Sequence, residues 1–378
     1  MASKTTGGRP FRHNRQDIRG THSREKHPHH VLRHFEIEVV HGLEEWAARE
    51  VQASLRVPAH GLRTSAPGRL WLSSYHGPLE RLNRLRTVTA VYGVLSFTGT
   101  RPSVLLGQEP FGHVLGTIVR IRPLIAGART LRVSAAGFET PTFIRLTAAL
   151  CRTLGLQATR GPADLELRVR RPPDGAPGWQ VLVRLSRRPL TARPWRVCHL
   201  PGALDASIAR VMGVLAGVAP GHRVLNLTCG SGTLLVERLL SASAAMAIGV
   251  DHDPAALACA RTNLKTAGLE GQVSLLCGDA GQLPLTNAVM DEIVADLPFG
   301  MVVGTPASNE RLYPALLAEA ARVATPRARL VVITASRRLL ERAASGVGEW
   351  RLRCRIPLRM STNTRLITPN IYVFDRTA

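Results

Sequence analysis

Lysine is nearly missing from this 378-residue chain: Lys4, Lys26 and Lys265 are the only examples. Acids are scarce too, with 27 Asp and Glu against 49 Lys and Arg, for a formal net charge of +22. A GC-rich genome would explain writing arginine for lysine, but not the excess itself. Arginine presents a planar fork of donors suited to phosphate, so the balance favours a polyanionic partner. Aromatics make up only 4% and hydrophobic residues 45%, so a sizeable core is expected and it must be aliphatic. Cysteines at 151, 198, 229, 259, 277 and 354 form no C-x-x-C pair. That spacing argues against a zinc or iron–sulfur site and against a disulfide framework. Most of them fall in apolar strand or helix patterns, which predicts buried thiols in a reducing compartment. No apolar run approaches the ~18 residues of a membrane span. The charged N-terminus lacks the apolar segment of a secretory signal. The expectation is a cytoplasmic protein.

What is present falls into four stretches. Residues 1–32 are rich in Arg, His and Gly and nearly devoid of apolar side chains, so they are expected to be a disordered basic arm. The histidines at 27, 29 and 30 read as solvated tail, not as metal ligands. Residues 33–100 alternate strand and helix patterns: strands near 35–40, 68–72 and 87–96, helices near 43–55 and 79–85. A second α+β module follows over 101–192. In it, 165–170 and 179–185 form a hairpin across the Pro-Gly-rich turn 172–178. Arg168, Arg170 and Arg184, followed by Arg187 and Arg188, fall on one face of that hairpin. One basic face of this kind can track a phosphate backbone.

Residues 193–378 form the third domain. After a helix opening at 201–204, strands are expected at 223–228, 245–251, 273–278, 290–296 and 328–334. Helices are expected at 232–243, 254–267, 309–323 and 336–345. This alternation predicts a parallel α/β sheet, and the consecutive strand patterns 350–359 and 366–375 add an antiparallel edge.

Chemistry gathers at the carboxyl ends of these strands, where open α/β sheets bind ligands. The turn Cys229-Gly-Ser-Gly-Thr233 has two glycines, but Leu235 stands where a dinucleotide fingerprint needs the third, and no P-loop lysine is present. Pyrophosphate is therefore disfavoured. Asp251, about 20 residues on, is placed for ribose hydroxyls, and Asp279 for an adenine amine. A nucleoside held without a phosphate anchor, in an acidic pocket that suits a sulfonium, points to S-adenosylmethionine. Asp296-Leu-Pro-Phe-Gly300 closes the series. Its carboxylate and carbonyls can accept from an exocyclic amine, and Phe299 offers a stacking face. Acceptors aimed at an aryl amine raise its nucleophilicity and stabilise the charge that develops during attack.

Residues 296–299 resemble the (Asp/Asn/Ser)-Pro-Pro-aromatic motif of Rossmann-fold amino-methyltransferases, with Leu297 in place of the first proline. With Asn309-Glu-Arg-Leu-Tyr-Pro314 and the segment Pro201-Gly-Ala-Leu-Asp-Ala-Ser-Ile208, the chain resembles the THUMP-domain tRNA guanine-N2 methyltransferases. That resemblance implies a ferredoxin-like module over 33–100, a THUMP-like RNA-binding module over 101–192 and a Rossmann-like catalytic domain over 193–378. It implies that Asp296 and the Pro298 carbonyl face guanine N2 and that Phe299 stacks on the base. It implies that Leu204, Thr228, Cys229, Gly230, Ser231, Gly232, Thr233, Asp251, His252, Asp279, Ala280 and Asp296 surround S-adenosylmethionine. The implied product is N2-methylguanosine in the acceptor stem of tRNA, at the sixth nucleotide; a monomer without metal or membrane is expected. Alternatives are another tRNA guanosine, 23S ribosomal RNA, a non-catalytic RNA-binding protein, and a DNA amino-methyltransferase, against which the THUMP-like module argues. Two positions depart from the family pattern. Asn226 stands where relatives carry Asp, with Glu237 as the neighbouring acid that could substitute, and Met301 stands where a basic residue is common.

Overall fold

The computed structural model describes residues 1–2, 32–300, 304–361 and 366–377. The expected basic arm with its histidines, Met301 and most of the expected 361–364 turn fall outside these residues.

The N-terminal part is built on one sheet of eight strands. These are β1 (Phe35–Glu38), β2 (Leu62–Ala66), β3 (Arg69–Leu72), β4 (Ala90–Phe97), β5 (Thr130–Ala135), β6 (Gln157–Ala158), β7 (Leu165–Arg170) and β8 (Trp179–Arg184). They lie in the order β2-β3-β1-β4-β8-β7-β5-β6. Alternation puts Phe35, Ile37, Val91, Leu167 and Val183 on one face, in a single apolar cluster. The helices α1 (Glu44–Leu55), α2 (Leu79–Leu82), α3 (Gln108–Ile121) and α4 (Pro141–Leu154) contribute to the same cluster. The two modules expected on either side of residue 100 thus share a sheet and a core. They are joined where β4 pairs antiparallel with β8, Tyr92 opposite Arg184. Neither β2 nor α3 was anticipated from the sequence.

The opposite face corrects the expected phosphate-tracking hairpin. Arg170 donates to both carboxylate oxygens of Glu36, at 3.0 and 2.6 Å. Arg168 pairs with Glu38 and with Glu166, the latter at 3.1 Å, and its guanidinium lies 4.4 Å from the Tyr92 ring centre. Arg184 is buried, donating to Glu166 at 2.5 Å and to the Ala163 carbonyl at 2.8 Å. Arg187 reaches Asp164 at 2.8 Å. The alternation did place the β7 arginines on one face, but β1 supplies carboxylates to that face from across the sheet. Of the group, only Arg188 is exposed with a side chain that makes no hydrogen bond or ion pair among the described residues.

The C-terminal part is a seven-stranded sheet. It comprises β9 (Arg223–Asn226), β10 (Met246–Asp251), β11 (Ser274–Cys277), β12 (Met290–Asp296), β13 (Ala324–Thr334), β14 (Trp350–Pro357) and, after the two-residue pair β15 (Met360–Ser361) and β16 (Leu366–Ile367), β17 (Asn370–Arg376). The order is β11-β10-β9-β12-β13-β17-β14, parallel from β11 to β13, with β17 antiparallel to both β13 and β14. Its helices are α5 (Ala206–Ala216), α6 (Thr233–Leu239), α7 (Pro254–Thr266), α8 (Pro306–Val323) and α9 (Arg337–Val347). Helices cover both faces. Ile293, Leu330 and Val332 pack with α8 and α9, while Val294, Val331 and Ile333 pack with α5, as a parallel sheet requires. This is the Rossmann-like methyltransferase architecture expected from the strand pattern.

Several contacts bind the two sheets together. Gly42 has φ +104° and a methyl there would lie 2.2 Å from the Pro357 carbonyl oxygen, so only glycine fits this crossing. The Arg359 amide donates to the His41 carbonyl at 3.0 Å, and Leu43 enters the same cluster as Leu204 and Ile208. One disulfide, Cys198–Cys259, is present with Cα atoms 5.4 Å apart, which corrects the expectation that the cysteines form no disulfide. Of the free cysteines among the described residues, only Cys229 is buried. No helix among the described residues is long and apolar enough to cross a membrane.

Candidate active site

β9 and β12 are neighbours in the sheet although three crossovers separate them from continuous order, so their carboxyl ends form the switch point where a crevice opens. The Cys229 amide bonds the Val250 carbonyl at 2.8 Å, which ties the turn after β9 to β10. Gly230, at φ +51°, donates its amide to Asp251 Oδ2 at 2.8 Å, and a methyl built on it would meet nothing within 4 Å. That open space beside a backbone amide is where a ligand can approach. Gly232 is different: at φ +79°, a methyl would sit 3.3 Å from Ala260 Cβ, so glycine is needed for α6 and α7 to pack.

Asp251 also accepts from the Asp253 amide at 3.1 Å through Oδ1. A carboxylate offers about four acceptor directions, so capacity for hydroxyl donors remains. His252 is largely exposed, 3.4 Å from Asp251. Asp279 is exposed and closes a turn by accepting from the Gly281 amide at 2.8 Å, while Ala280 beside it is buried in the core. Leu204 and Thr233 are drawn together by Arg196, whose Nη2 donates to the Leu204 carbonyl and to Thr233 Oγ1, both at 2.5 Å. Ser231 and Cys229 are buried; burial pushes the Cys229 thiol up to about 12, which keeps it neutral. Ser231's carbonyl accepts from Asn263 at 3.0 Å, and the same side chain holds the Val197 and Cys198 amides. Arg196 and Asn263 were missed in the sequence. The one available signal was an Asn falling on the apolar side of the expected helix 254–267, beside Leu264.

Asn226 is 0% exposed and neither of its amide atoms has a partner among the described residues. It lies beneath the glycine turn, flanked by Gly249 and Val294. A polar pair left empty in this place fits a ligand bearing its own donor. Glu237 does not fit that role. It is fully buried on α6, paired with Arg193 Nε at 2.9 Å and Arg86 at 2.8 Å. The helix turns it away from the crevice and into the joint with the N-terminal sheet.

The loop after β12 is fixed at three successive residues. Thr228 Oγ1 donates to the Asp296 carbonyl at 2.9 Å. The Leu297 amide donates to the Ile333 carbonyl at 3.1 Å. The Pro298 carbonyl accepts from Asn309 Nδ2 at 2.7 Å and from Tyr313 Oη at 2.8 Å. A carbonyl has two lone pairs, and both are occupied. Pro298 therefore cannot face a substrate amine as the resemblance implied. Phe299 is half-buried against the cluster containing Leu204 and Ile208. Asp296 itself is half-buried, and burial pushes its carboxyl up to about 7, with no hydrogen bond or cation among the described residues to offset it. It is an acceptor with no partner among the described residues. No cluster of His, Cys, Asp or Glu among the described residues could hold a metal.

Comparison with known proteins identifies what the chain is similar to. Residues 193–363 match the family model described as the RMKL-like methyltransferase domain. The mouse protein named tRNA (guanine(6)-N(2))-methyltransferase THUMP3 is 30% identical over 185 residues, which is 45% of this chain and 36% of that protein. The chain thus spans only about a third of its mammalian relatives' length. The tRNA (guanine(6)-N2)-methyltransferase of Thermus thermophilus is 32% identical over 256 residues, 64% of this chain and 74% of that one. Among solved structures, TrmN from Thermus thermophilus superposes with a TM-score of 0.67 at 24% identity, covering 91% of this chain and 99% of that one. The chain belongs to the THUMP-domain, S-adenosylmethionine-dependent tRNA (guanine-N2)-methyltransferase family.

Proposed function

We propose that this chain transfers a methyl group from S-adenosylmethionine to the exocyclic N2 of a guanosine in RNA, with tRNA as the substrate and the sixth nucleotide of its acceptor stem as the position. The observation that carries the chemistry is the unpartnered Asp296 carboxyl, held at the switch point beside an empty amide and an open glycine turn. The residues fit the cofactor. Asp251 has acceptor capacity left for ribose hydroxyls, Asn226 Oδ1 suits the methionine ammonium, and the Gly230 side leaves room. Bound there, S-adenosylmethionine supplies an electrophilic methyl on its sulfonium.

The chain's own residues do the rest. Asp296, as a carboxylate, accepts from an N2 hydrogen, which localises the nitrogen lone pair for attack. With its ordinary range shifted to about 7, the same carboxyl is matched to hold the proton that the methylated amine releases. Phe299 supplies a flat surface beside the loop, so the base is held in line with the methyl group. A guanosine in a stem must leave its duplex to reach this loop.

RNA binding rests on exposed cations elsewhere than the hairpin face. α3 and α4 end, β5 and β7 begin and β8 ends at one end of the N-terminal sheet. Exposed Arg120, Arg122, Arg129, Arg152 and Arg188 gather there. Arginines at this end suit a phosphate backbone read by shape.

The test is to incubate the purified chain with labelled S-adenosylmethionine and separate pools of tRNA and ribosomal RNA, then identify labelled nucleosides by mass spectrometry. N2-methylguanosine in tRNA alone is expected. Label only in ribosomal RNA would overturn the substrate, and label in no RNA would overturn the transferase.

A further inference from the structure

We propose that Asn309 and Tyr313 are positioning residues for methyl transfer: their joint grip on the Pro298 carbonyl supplies the loop rigidity that a proline at 297 would otherwise give. This rests on the transferase reading above.

Leu297 stands where the amino-methyltransferase motif has its first proline. Its amide donates to the Ile333 carbonyl at 3.1 Å, a bond that proline could not make. The leucine side chain is 1% exposed. The exchange extends the pairing of β12 with β13 by one residue but gives up a fixed φ just before the functional loop. The next carbonyl compensates. Asn309 and Tyr313 lie four residues apart on α8, so they share a face one turn apart. Both are buried, at 1% and 0% exposure, and both donate to Pro298.

The direction of each proton is fixed by chemistry. Pro298 O can only accept, so Tyr313 donates to it. The Ser336 amide can only donate, and it reaches Thr334 Oγ1 at 2.9 Å. The 2.8 Å contact between Thr334 Oγ1 and Tyr313 Oη must then run from threonine to tyrosine if each hydrogen is used once. A single polarised chain leads from the Ser336 amide through Thr334 and Tyr313 to Pro298, each bond strengthening the next. It ties the loop to the interior of α8, to the end of β13 and to the N-cap of α9.

The approach of α8 depends on glycine. A methyl on Gly304 would lie 2.9 Å from Asn309 Oδ1 and 3.2 Å from Pro298 Cβ. A methyl on Gly300 would lie 3.1 Å from the Pro306 nitrogen. α8 itself is set by the Thr305 cap, which accepts from the Ser308 amide at 3.1 Å, with Pro306 in the first turn. With Thr228 gripping the Asp296 carbonyl from the other side, the backbone from 296 to 298 is held at every residue. The Asp296 carboxyl remains free to point into the crevice, and Phe299 follows directly from the clamped peptide.

The test uses the full chain with Tyr313→Phe, Asn309→Asp and the two combined. Hydrogen exchange over 296–300, single-turnover methyl transfer, and equilibrium binding of S-adenosylhomocysteine and tRNA are measured. Each single change is expected to lower the transfer rate about tenfold. The pair should lose more than the product of the singles, because one remaining donor still satisfies the oxygen. Binding of both ligands should stay within about threefold, and exchange should quicken at the loop but not in β9 or β10. Unchanged exchange in a folded variant would refute the clamp whatever the chain methylates. A loosened loop with normal transfer would refute the positioning role, as would ligand binding lost in step with rate. A loosened loop in a chain whose unaltered form methylates no RNA would overturn the transferase reading and the positioning role together. Tyr313→Phe keeps a buried ring and decides the matter if the double variant does not fold.

Discussion

Asn226→Asp is the sharpest perturbation of the cofactor side. The residue is 0% exposed, and both amide atoms are without partners among the described residues. Aspartate has the same shape and adds one negative charge. With the cofactor bound, its ammonium would donate to Oδ1 in either protein. The ammonium is charged in both complexes, so each bond falls in the range of about 1.5–3 kcal/mol for hydrogen bonds to charged groups, and the added charge of the carboxylate moves it from the lower towards the upper end. The difference, about 1–1.5 kcal/mol, corresponds to a roughly 5- to 10-fold tighter Kd.

Without cofactor the new carboxylate has no donor and no cation, so burial raises its pKa above the unfolded value. A raised carboxyl pKa means stability that is present at low pH and is lost as pH rises through the folded value. The ligand-free variant should therefore melt near the parent below about pH 4 and progressively below it as pH rises towards about 8. Calorimetric titration with S-adenosylhomocysteine, which keeps the ammonium but lacks the sulfonium, reads the affinity directly. An analogue without the amino group is the control and should gain nothing. Equal gain for both ligands, or weaker binding of S-adenosylhomocysteine by a variant of normal stability, would refute the placement of the ammonium at Asn226.

Three further outcomes follow from the geometry. Because burial holds Asp296 at about 7, single-turnover transfer should rise as pH climbs through about 7 and the carboxylate forms, and a flat profile from about 5.5 to 8.5 would contradict its role as acceptor. Asp296→Asn should lower transfer about 10²–10³-fold, and it should melt increasingly above the parent at higher pH, because the parent loses stability as its raised carboxyl ionises. Arg168→Ala and Arg170→Ala should lower the melting temperature and leave the salt dependence of tRNA binding intact, whereas Arg152→Ala and Arg188→Ala should each reduce that salt slope by about one and leave melting unchanged. Gly232→Ala forces a left-handed φ of +79° and a 3.3 Å contact with Ala260, so about 1–2 kcal/mol of stability should be lost together with cofactor binding, read by melting with and without S-adenosylhomocysteine.

The sequence made the catalytic sheet legible because a buried parallel strand is a short apolar run that ends in turn chemistry. Residues 223–226, 246–251, 274–277 and 290–296 all have that form, and each strand was anticipated within about two residues. The N-terminal sheet was less legible. Its joining pair, β4 with β8, brings together residues about ninety apart, and periodicity carries no information on strand partners. The same limit explains the hairpin arginines. A period of two says which face they occupy but not that Glu36 and Glu38 reach it from β1. Glu237 looked available because it follows the glycine turn closely. The rotation of α6 decides otherwise, by pointing it at Arg86 and Arg193. The Cys198–Cys259 pairing depends on the linker docking against α7 through Asn263, a contact with no local signature.

The functional loop shows how a saturated backbone can identify a reacting group. Motif reasoning offered two acceptors for the amine, the Asp296 carboxyl and the Pro298 carbonyl, and nothing in the string separated them. Counting donors does. Pro298 has two lone pairs and two protein donors, and the Asp296 carbonyl already receives Thr228. Leu297 gives its amide to Ile333. Among the described residues, the Asp296 carboxyl has no partner, and the Asn226 amide beneath the glycine turn and Asn309 Oδ1 behind the loop are also left unsatisfied, but of these only Asp296 is an acidic acceptor. Burying any of them without compensation costs free energy in the ligand-free chain, and the three anchors on the loop are what keep Asp296 from turning outward to water. An acceptor held in that condition binds most strongly to a donor whose positive charge grows, and an amine attacking a methyl group is such a donor. The rigidity of the backbone and the reactivity of the side chain are therefore one feature, and loosening the first should reduce the second even with Asp296 unchanged.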